Sequence, residues 1–280
     1  MLFRSVLEGK PVTEKTRLHL DRCLTCRSCE TTCPSGVKYS HLLDIGRRVV
    51  EEKLPRKGGD ALTRWVLREA LTRPGVFGPA VKLGQLLRPL LPSGLADKLP
   101  PEAAGAAKPW PAKAAHARRM LALAGCVQPA LAPNINAATA RVLDRLGIEL
   151  FEESKSGCCG AVRFHLNDQE AAKDDMRRNI DAWWPHVEAG IEAIVVTASG
   201  CGVQVKEYGH VLADDAVYAE KAAKISALCR DPSEVLAAER ETLQAQLAAV
   251  PVARGKLAFH APCTLQHGLK IRGVIEEFLT

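Results

Sequence analysis

The sequence predicts an α+β protein, mainly helical in its first part and α/β after it, and three observations predict this. Apolar residues recur at helical spacing up to about residue 91. Short apolar runs alternating with helical patterns take over at Met120, and the Pro- and Ala-rich stretch KLPPEAAGAAKPWPAKAA separates the two regions. Cysteines mark both parts: Cys23, Cys26, Cys29 and Cys33 form a ladder in the first, while Cys126, Cys158, Cys159, Cys201 and Cys263 come after apolar runs in the second.

A helical segment ends near Arg22, the ladder occupies a loop, and an amphipathic helix is expected from about Ser40 to Lys53. Its buried face would carry Leu42, Leu43, Ile45, Val49 and Val50. Asp60 to Leu91 reads as two helices broken at Arg73-Pro74-Gly75, and residues 92–116 have the composition of a linker. Beyond it, Met120–Ala124 is expected as a strand, Asn134–Leu146 as a helix stopped by Gly147, and Ile148–Phe151 as a second strand. Asp168–Ala189 then reads as a long helix and Ala193–Thr197 as a third strand. Helices fill about Val203 to Ala249, Cys229 among them as an inert residue, and Lys256–His260 starts another strand. Such βαβ alternation makes a parallel sheet covered by helices.

The last strand opens a repeat. MLALAGCVQ at 120–128 and KLAFHAPCTLQ at 256–266 share a strand, a cysteine and a polar helix start, so Cys126 and Cys263 correspond. The first copy continues to Cys158-Cys159-Gly160 and Cys201, whereas Thr280 is reached before the second shows such partners, and loss inside the second repeat is expected. The division is then 1–55, a partial helical domain bearing the ladder; 56–117, a basic helical connector and linker; 118–250, a first cysteine-rich domain; and 251–280, the start of a second.

Composition narrows the function. With 47% apolar and 25% charged residues the chain can bury a core. Its first residues lack the apolar centre and cleavage site of an export signal, and no run approaches the roughly 18 apolar residues of a membrane span, so a cytoplasmic location is expected. Ten cysteines in such a chain point to metal or redox work in preference to disulfides. The formal charge of +6 is uneven: Lys53 to Arg119 holds 13 Lys or Arg against four acids. That basic stretch, with Trp65, Val66, Leu67, Leu71, Val81, Leu83, Leu86 and Leu87 among its cations, fits an acidic partner or peripheral attachment to an anionic membrane face. It carries no nucleic-acid motif, and nucleic acid is excluded as a partner.

Cys23-Leu-Thr-Cys26-Arg-Ser-Cys29-Glu-Thr-Thr-Cys33-Pro34 fits C-x2-C-x2-C-x3-C-P, the ferredoxin-type spacing that wraps a [4Fe–4S] cube with thiolates. A zinc knuckle would want two separated C-x2-C halves. In two-cluster proteins the cysteine before proline serves the other cube, so Cys33 calls for a second run; no cysteine precedes Cys23, and loss upstream is expected. Cys126, Cys158, Cys159 and Cys201 would converge at the carboxyl edge of the sheet, where α/β folds bind ligands. Soft thiolates there suit a further iron–sulfur cluster, zinc or a dithiol couple; packing is the plain alternative. His260 and His267 flank Cys263 as ligands or as structural residues. Val205 occupies the third glycine position of G-x-G-x-x-G after Gly200 and Gly202, which excludes a dinucleotide loop. No catalytic Ser/His/Asp or paired-carboxylate arrangement stands out.

The segments HLDRCLTCRSCETTCPSGVKYSHLLDIGR, GCCGA, AWWPHVEAGIEAIVVTASGCGVQVKEYGHVL and LAFHAPCTLQHGLKIRG resemble the iron–sulfur subunit of bacterial glycolate oxidase (glycolate dehydrogenase), through nearly the whole chain. The wider family shares paired CCG cysteine-rich domains with heterodisulfide reductase and lactate-utilisation proteins. The resemblance implies two ferredoxin-type [4Fe–4S] clusters followed by two cysteine-rich repeats, with Cys23, Cys26 and Cys29 on one cube and Cys33 on its neighbour. It implies flavin-containing partner subunits that oxidise glycolate to glyoxylate, electrons passing on to a quinone or another acceptor, and no substrate catalysis by this chain alone. Lactate or glycerol 3-phosphate as the partner's substrate, and a zinc-stabilised scaffold, are the competing expectations. The sequence departs from the family by lacking the first ferredoxin motif and the second CCG, and by having Gln204 where C-x2-C would place a cysteine after Cys201.

Overall fold

A computed structural model describes residues 6, 8–97, 99, 109–111, 116–248 and 255–279. Helix α1 (Glu14–Asp21) begins where the Thr13 hydroxyl accepts the Thr16 amide and the Thr16 hydroxyl accepts the Thr13 amide, a reciprocal cap. The ladder runs from Cys23 around a single turn, α2 (Ser28–Thr31), into α3 (Tyr39–Lys53). Helix α3 buries Ser40, Leu43, Gly46, Arg47 and Val50, and packs Leu43 and Val50 on Leu20 with Cys23 and Tyr39 beside them. Leu42 and Ile45, expected inside, are exposed. The contact with α1 uses one residue per turn of α3, so the flanking apolar positions have no helix to face.

Helices α4 (Gly58–Leu71) and α5 (Pro74–Leu86) break at Thr72-Arg73, and Pro74 takes a first-turn position where its missing N–H costs nothing. Several cations expected on an open basic face are held in ion pairs, Arg56, Arg64 and Arg68 turned inward and Arg73 still mostly exposed. Arg56 pairs with Asp21, Glu51 and Asp60, Arg64 with Asp21 and Asp60, Arg68 with Asp168, and Arg73 with Glu69. The linker expected over 92–116 lies largely outside the described residues; α6 (Ser93–Ala96) forms near its start.

Four strands, β1 (Arg118–Ala122), β2 (Ile148–Glu152), β3 (Ala193–Val195) and β4 (Cys229–Arg230), make a parallel sheet in the order β2-β1-β3-β4. Both faces are covered, as parallel sheets require. Leu121 and Ile194 share one core with Met176, Ile180 and Trp183 of α10 (Gln169–Glu188) and Ile225 of α13 (Ala219–Leu228). Met120, Ala122, Ile148, Leu150 and Val195 share the other with Ala140 and Leu143 of α8 (Asn134–Arg145), which follows the single turn α7 (Gln128–Leu131). β1 starts two residues before the expected position and β3 ends two before, though the Leu123 amide still donates to Val195 O at 3.0 Å.

Two expectations are corrected. Cys229 is not mid-helix: it comes directly after α13 as the first residue of β4, fully buried opposite Ile194. Lys256–His260 forms no strand and is exposed, because no described strand lies beside it to take its backbone hydrogen bonds. The next element is a π-helical turn, Thr264–Gly268, from which Leu265, Leu269 and Ile271 pack on Val203 of α11 (Ser199–Lys206). Among the described residues no helix is long and apolar enough to cross a membrane.

Candidate functional site

The sheet reverses its order at β1: the chain goes from β1 to β2 on one side, then crosses to β3 on the other. In open α/β sheets the crevice at such a switch, beyond the carboxyl ends of the strands, is where ligands bind. The second cysteine set lies there. Cys126 comes after β1, Cys158 and Cys159 after β2, and Cys201 sits in the first turn of α11 after β3. A buried polar net ties the strand ends: Asn136 donates to Leu123 O at 3.1 Å and to Glu152 Oε1 at 2.8 Å. The Thr197 hydroxyl donates to Asn136 Oδ1 at 2.7 Å, and Gln128 Nε2 donates to Thr197 Oγ1 at 2.9 Å.

The four thiols form one interacting row, in which the titration of each depends on its neighbour: Cys126 with Cys158, Cys158 with Cys159, and Cys159 with Cys201. Cys158 holds the favoured thiolate: bonds from Cys126 and Cys159 push its pKa far down, helped by the Gly160 amide and Arg178 and opposed by burial. Its two neighbours are pushed up correspondingly, Cys126 and Cys159 first by their bonds to Cys158. Gly160 has φ +89° and caps the short helix α9 (Ala161–His165), and a Cβ there would meet Ala172 O at 3.0 Å. Only glycine gives that turn, which explains the residue after the cysteine pair.

The loop bearing the pair is pinned from below by residues that sequence reasoning did not single out. Asn179 of α10 donates to Cys158 O at 2.8 Å and to Tyr208 Oη at 3.1 Å, and accepts from the Gly157 amide at 2.8 Å. Tyr208, which starts the short helix α12 (Tyr208–Val211), donates to Cys159 O at 2.9 Å. Both side chains are fully buried. Tyr208 is in the same quoted segment as Cys201, but nothing local marks it as the partner of a residue 49 positions away.

The ladder has its own supports. Arg47 donates to Leu20 O and to Cys23 O, at 2.9 and 2.8 Å, and so fixes the loop entrance. Thr25 and Arg27, between the first three cysteines, have φ of +52° and +60°. Left-handed residues alternating with right-handed ones turn backbone N–H groups into a concavity that suits anionic clusters. The Cys29 thiol is pushed up by burial and then by Glu30, Cys23 and Cys26, which places those three cysteines within one field. Cys23, Cys26 and Cys33 are half-buried and Cys29 is exposed.

The ladder loop and the sheet edge border one space. A cavity of about 480 Å³ is lined by Thr25, Arg27, Ser40 and Asp44 from the ladder side and by Cys126, Cys159 and Cys201 from the sheet side. Two buried polar atoms of its lining residues, Ser40 Oγ and His165 Nδ1, lack hydrogen-bond partners. Cys263 is exposed and His260 lies on the surface, while His267 bonds Thr31 Oγ1 at 2.8 Å and serves to join the last segment to α2. Among the described residues no group of three or more His, Cys, Asp or Glu is already spread as a metal cage. The candidate ligands are the eight cysteines Cys23, Cys26, Cys29, Cys33, Cys126, Cys158, Cys159 and Cys201. Their donor chemistry fits: soft sulfurs, a stabilised thiolate and a left-handed loop.

A parallel sheet with four cysteines at its switch point, and a cavity there shared with the loop of a cysteine ladder, defines a cysteine-rich protein of the metal and redox class. Residues 120–206 match the CCG cysteine-rich domain family. The chain is 55% identical over 280 residues to the glycolate oxidase iron-sulfur subunit of Escherichia coli K12, covering 99% of this chain and 67% of that protein. It is 28% identical over 261 residues to a probable glycolate oxidase iron-sulfur subunit of Bacillus subtilis, covering 84% of this chain and 58% of that one. A lactate utilization protein A of Bacillus thuringiensis is 32% identical over 101 residues, 36% of this chain and 40% of its own length. No solved structure matches. The chain belongs to the glycolate oxidase iron–sulfur subunit family, and is thereby an iron–sulfur component of a multisubunit oxidoreductase.

Proposed function

We propose that this chain relays electrons between a flavin-containing subunit that oxidises glycolate to glyoxylate and a quinone or other acceptor. In this reading residues 1–55 are a ferredoxin-type unit in which Cys23, Cys26 and Cys29 bind a [4Fe–4S] cluster and Cys33 serves a neighbouring one. Residues 118–250 form a cysteine-rich unit in which Cys126, Cys158, Cys159 and Cys201 hold a second cluster or zinc. The observation that supports the reading is the shared cavity, which is bordered by Thr25 and Arg27 of the ladder loop and by Cys126, Cys159 and Cys201 of the sheet edge. When bound, an iron–sulfur cluster takes up and gives back single electrons. The residues here do the rest: Arg47 holds the loop entrance, the left-handed Thr25 and Arg27 turn the backbone between the cysteines, and Asn179 and Tyr208 fix the carbonyls of the cysteine pair.

In this reading oxidation of glycolate belongs to the flavin-containing partner. Turnover of glycolate with an acceptor dye should appear only when flavin subunits are added, and Cys26→Ser should abolish it. Glycolate oxidation by the chain alone would overturn the reading. Lactate is the substrate to test beside glycolate, because the lactate-utilization relatives match part of the chain.

We also propose that α4 and α5 give the subunit a peripheral membrane contact. With Arg56, Arg64, Arg68 and Arg73 engaged in ion pairs, the face that remains is apolar: Leu62, Trp65, Val66, Leu83 and Leu86 are exposed. Exposed apolar residues with Lys57, Lys82 and Arg88 around them are the composition of an interfacial helix pair.

A further inference from the structure

Glu207 comes directly after α11, the helix whose first turn carries Cys201. Its carboxylate reaches across to the other cysteine set. Arg27, between Cys26 and Cys29, donates from Nη1 to Glu207 Oε1 at 2.7 Å, and His41 of α3 meets Oε2 at 2.9 Å. One side chain thus joins the ladder loop, the helix that supports it and the helix of the last thiol.

Other links between the two parts are longer or wetter. Gln169 donates to Asp44 O at 3.2 Å and Asn167 to Arg47 O at 3.4 Å. The pairs Arg68–Asp168 and Arg163–Glu69 stand at 3.8 and 3.9 Å, and the Thr31–His267 bond is exposed. The Glu207 pair is the shielded one, with Arg27 and Glu207 only 15% and 21% exposed. Burial works against its charge, yet Arg27 and then His41 hold the carboxyl below the usual range, so it is ionised. His41 also stacks on His210 at 3.7 Å and 11°, and His210 is held below the ordinary imidazole range by burial and by His41. A neutral ring as backing lets the stack form without like-charge repulsion.

We infer that Glu207 is a positioning residue for the relay: it sets the gap between the ladder and the thiol row across the cavity, and with it the rate at which an electron crosses. The inference rests on the relay reading with an iron–sulfur cluster, not redox-inert zinc, at the thiol row, since only there does the gap matter. It needs the charge, because a partly buried Arg27 left without its carboxylate is costly in a way that a neutral amide offsets only partly.

The test is Glu207→Gln, with Glu207→Asp as the variant that keeps the charge and Arg27→Gln as the cut from the opposite side. In anaerobically purified chain, amide hydrogen exchange in Tyr39–Lys53 and the ladder should speed up about tenfold in Glu207→Gln, while α10 stays protected. Glu207→Asp should recover part of the protection, and the Arg27→Gln/Glu207→Gln double variant should be no worse than either single one. Rapid-freeze electron paramagnetic resonance should show reducing equivalents reaching the second site more slowly, with the cluster absorption unchanged. Exchange that stays at the wild-type rate, rises only within α11, or adds in the double variant overturns the inference. A colourless wild-type chain would instead sink the relay reading and leave the exchange result standing.

Discussion

Asn179→Ala removes the support beneath the cysteine pair. Asn179 is fully buried and makes three hydrogen bonds, at 2.8, 2.8 and 3.1 Å. Alanine would leave the part-buried Gly157 N–H and the buried Cys158 carbonyl without these partners, while Tyr208 keeps its bond to Cys159 O. An unsatisfied buried backbone group costs about 1–3 kcal/mol, so two of them, after some relaxation into the small space left, should cost about 2–4 kcal/mol. For a domain of about 150–250 residues each kcal/mol moves Tm by about 2–4 °C, which predicts a loss of about 4–16 °C in a thermal melt. Tyr208→Phe removes one donor and should cost less, about 1–2 kcal/mol. A shift below about 2 °C for Asn179→Ala would refute the claim that this side chain fixes the loop.

Gly160→Ala places a Cβ at φ +89° and 3.0 Å from Ala172 O, and should cost about 1–2 kcal/mol for the backbone alone, with metal or iron lost first from the thiol row on chelator challenge. Burial pushes the Asp44 carboxyl up to about 6, against Arg47, Arg27 and His41. Its native form therefore binds a proton that the unfolded chain has released, and stability contributed by Asp44 is full below about pH 4 and lost as pH rises to about 6. Asp44→Asn should flatten that part of a urea-unfolding pH profile, by at most about 3 kcal/mol; an unchanged profile contradicts the shift. The chain should float with anionic vesicles at low salt and dissociate as salt rises, and Trp65→Ser with Leu86→Ser should prevent it; flotation by that double variant would exclude the α4–α5 face. Reversing Arg64 or Arg68 would be a poor probe, since both are held in intramolecular ion pairs.

Local patterns carried much of this architecture. The helix breaks at Pro74, the stop at Gly147 and the order of strands and helices from Met120 to Val195 are one-dimensional signals, and βαβ chirality then brings the cysteines to one sheet edge. What stayed hidden was long-range. The inward turn of Arg56 and Arg64 depends on Asp21, 35 positions before Arg56 in the chain. The Arg27–Glu207 pair spans 180 positions, and no spacing rule connects them. Leu42 and Ile45 were misplaced because amphipathic periodicity gives the direction of a buried face and not its width, which α1 alone decides. Lys256–His260 has a strand composition, but a strand is realised only by a neighbour.

The central claim is that sulfur ligands of this chain hold redox-active iron. It is tested most directly by iron, acid-labile sulfide and zinc content, with the visible spectrum, on anaerobically purified wild type and Cys26→Ser. The account predicts brown protein with iron and sulfide and no flavin, and loss of most of that colour in Cys26→Ser. Colourless wild-type protein with stoichiometric zinc would contradict it.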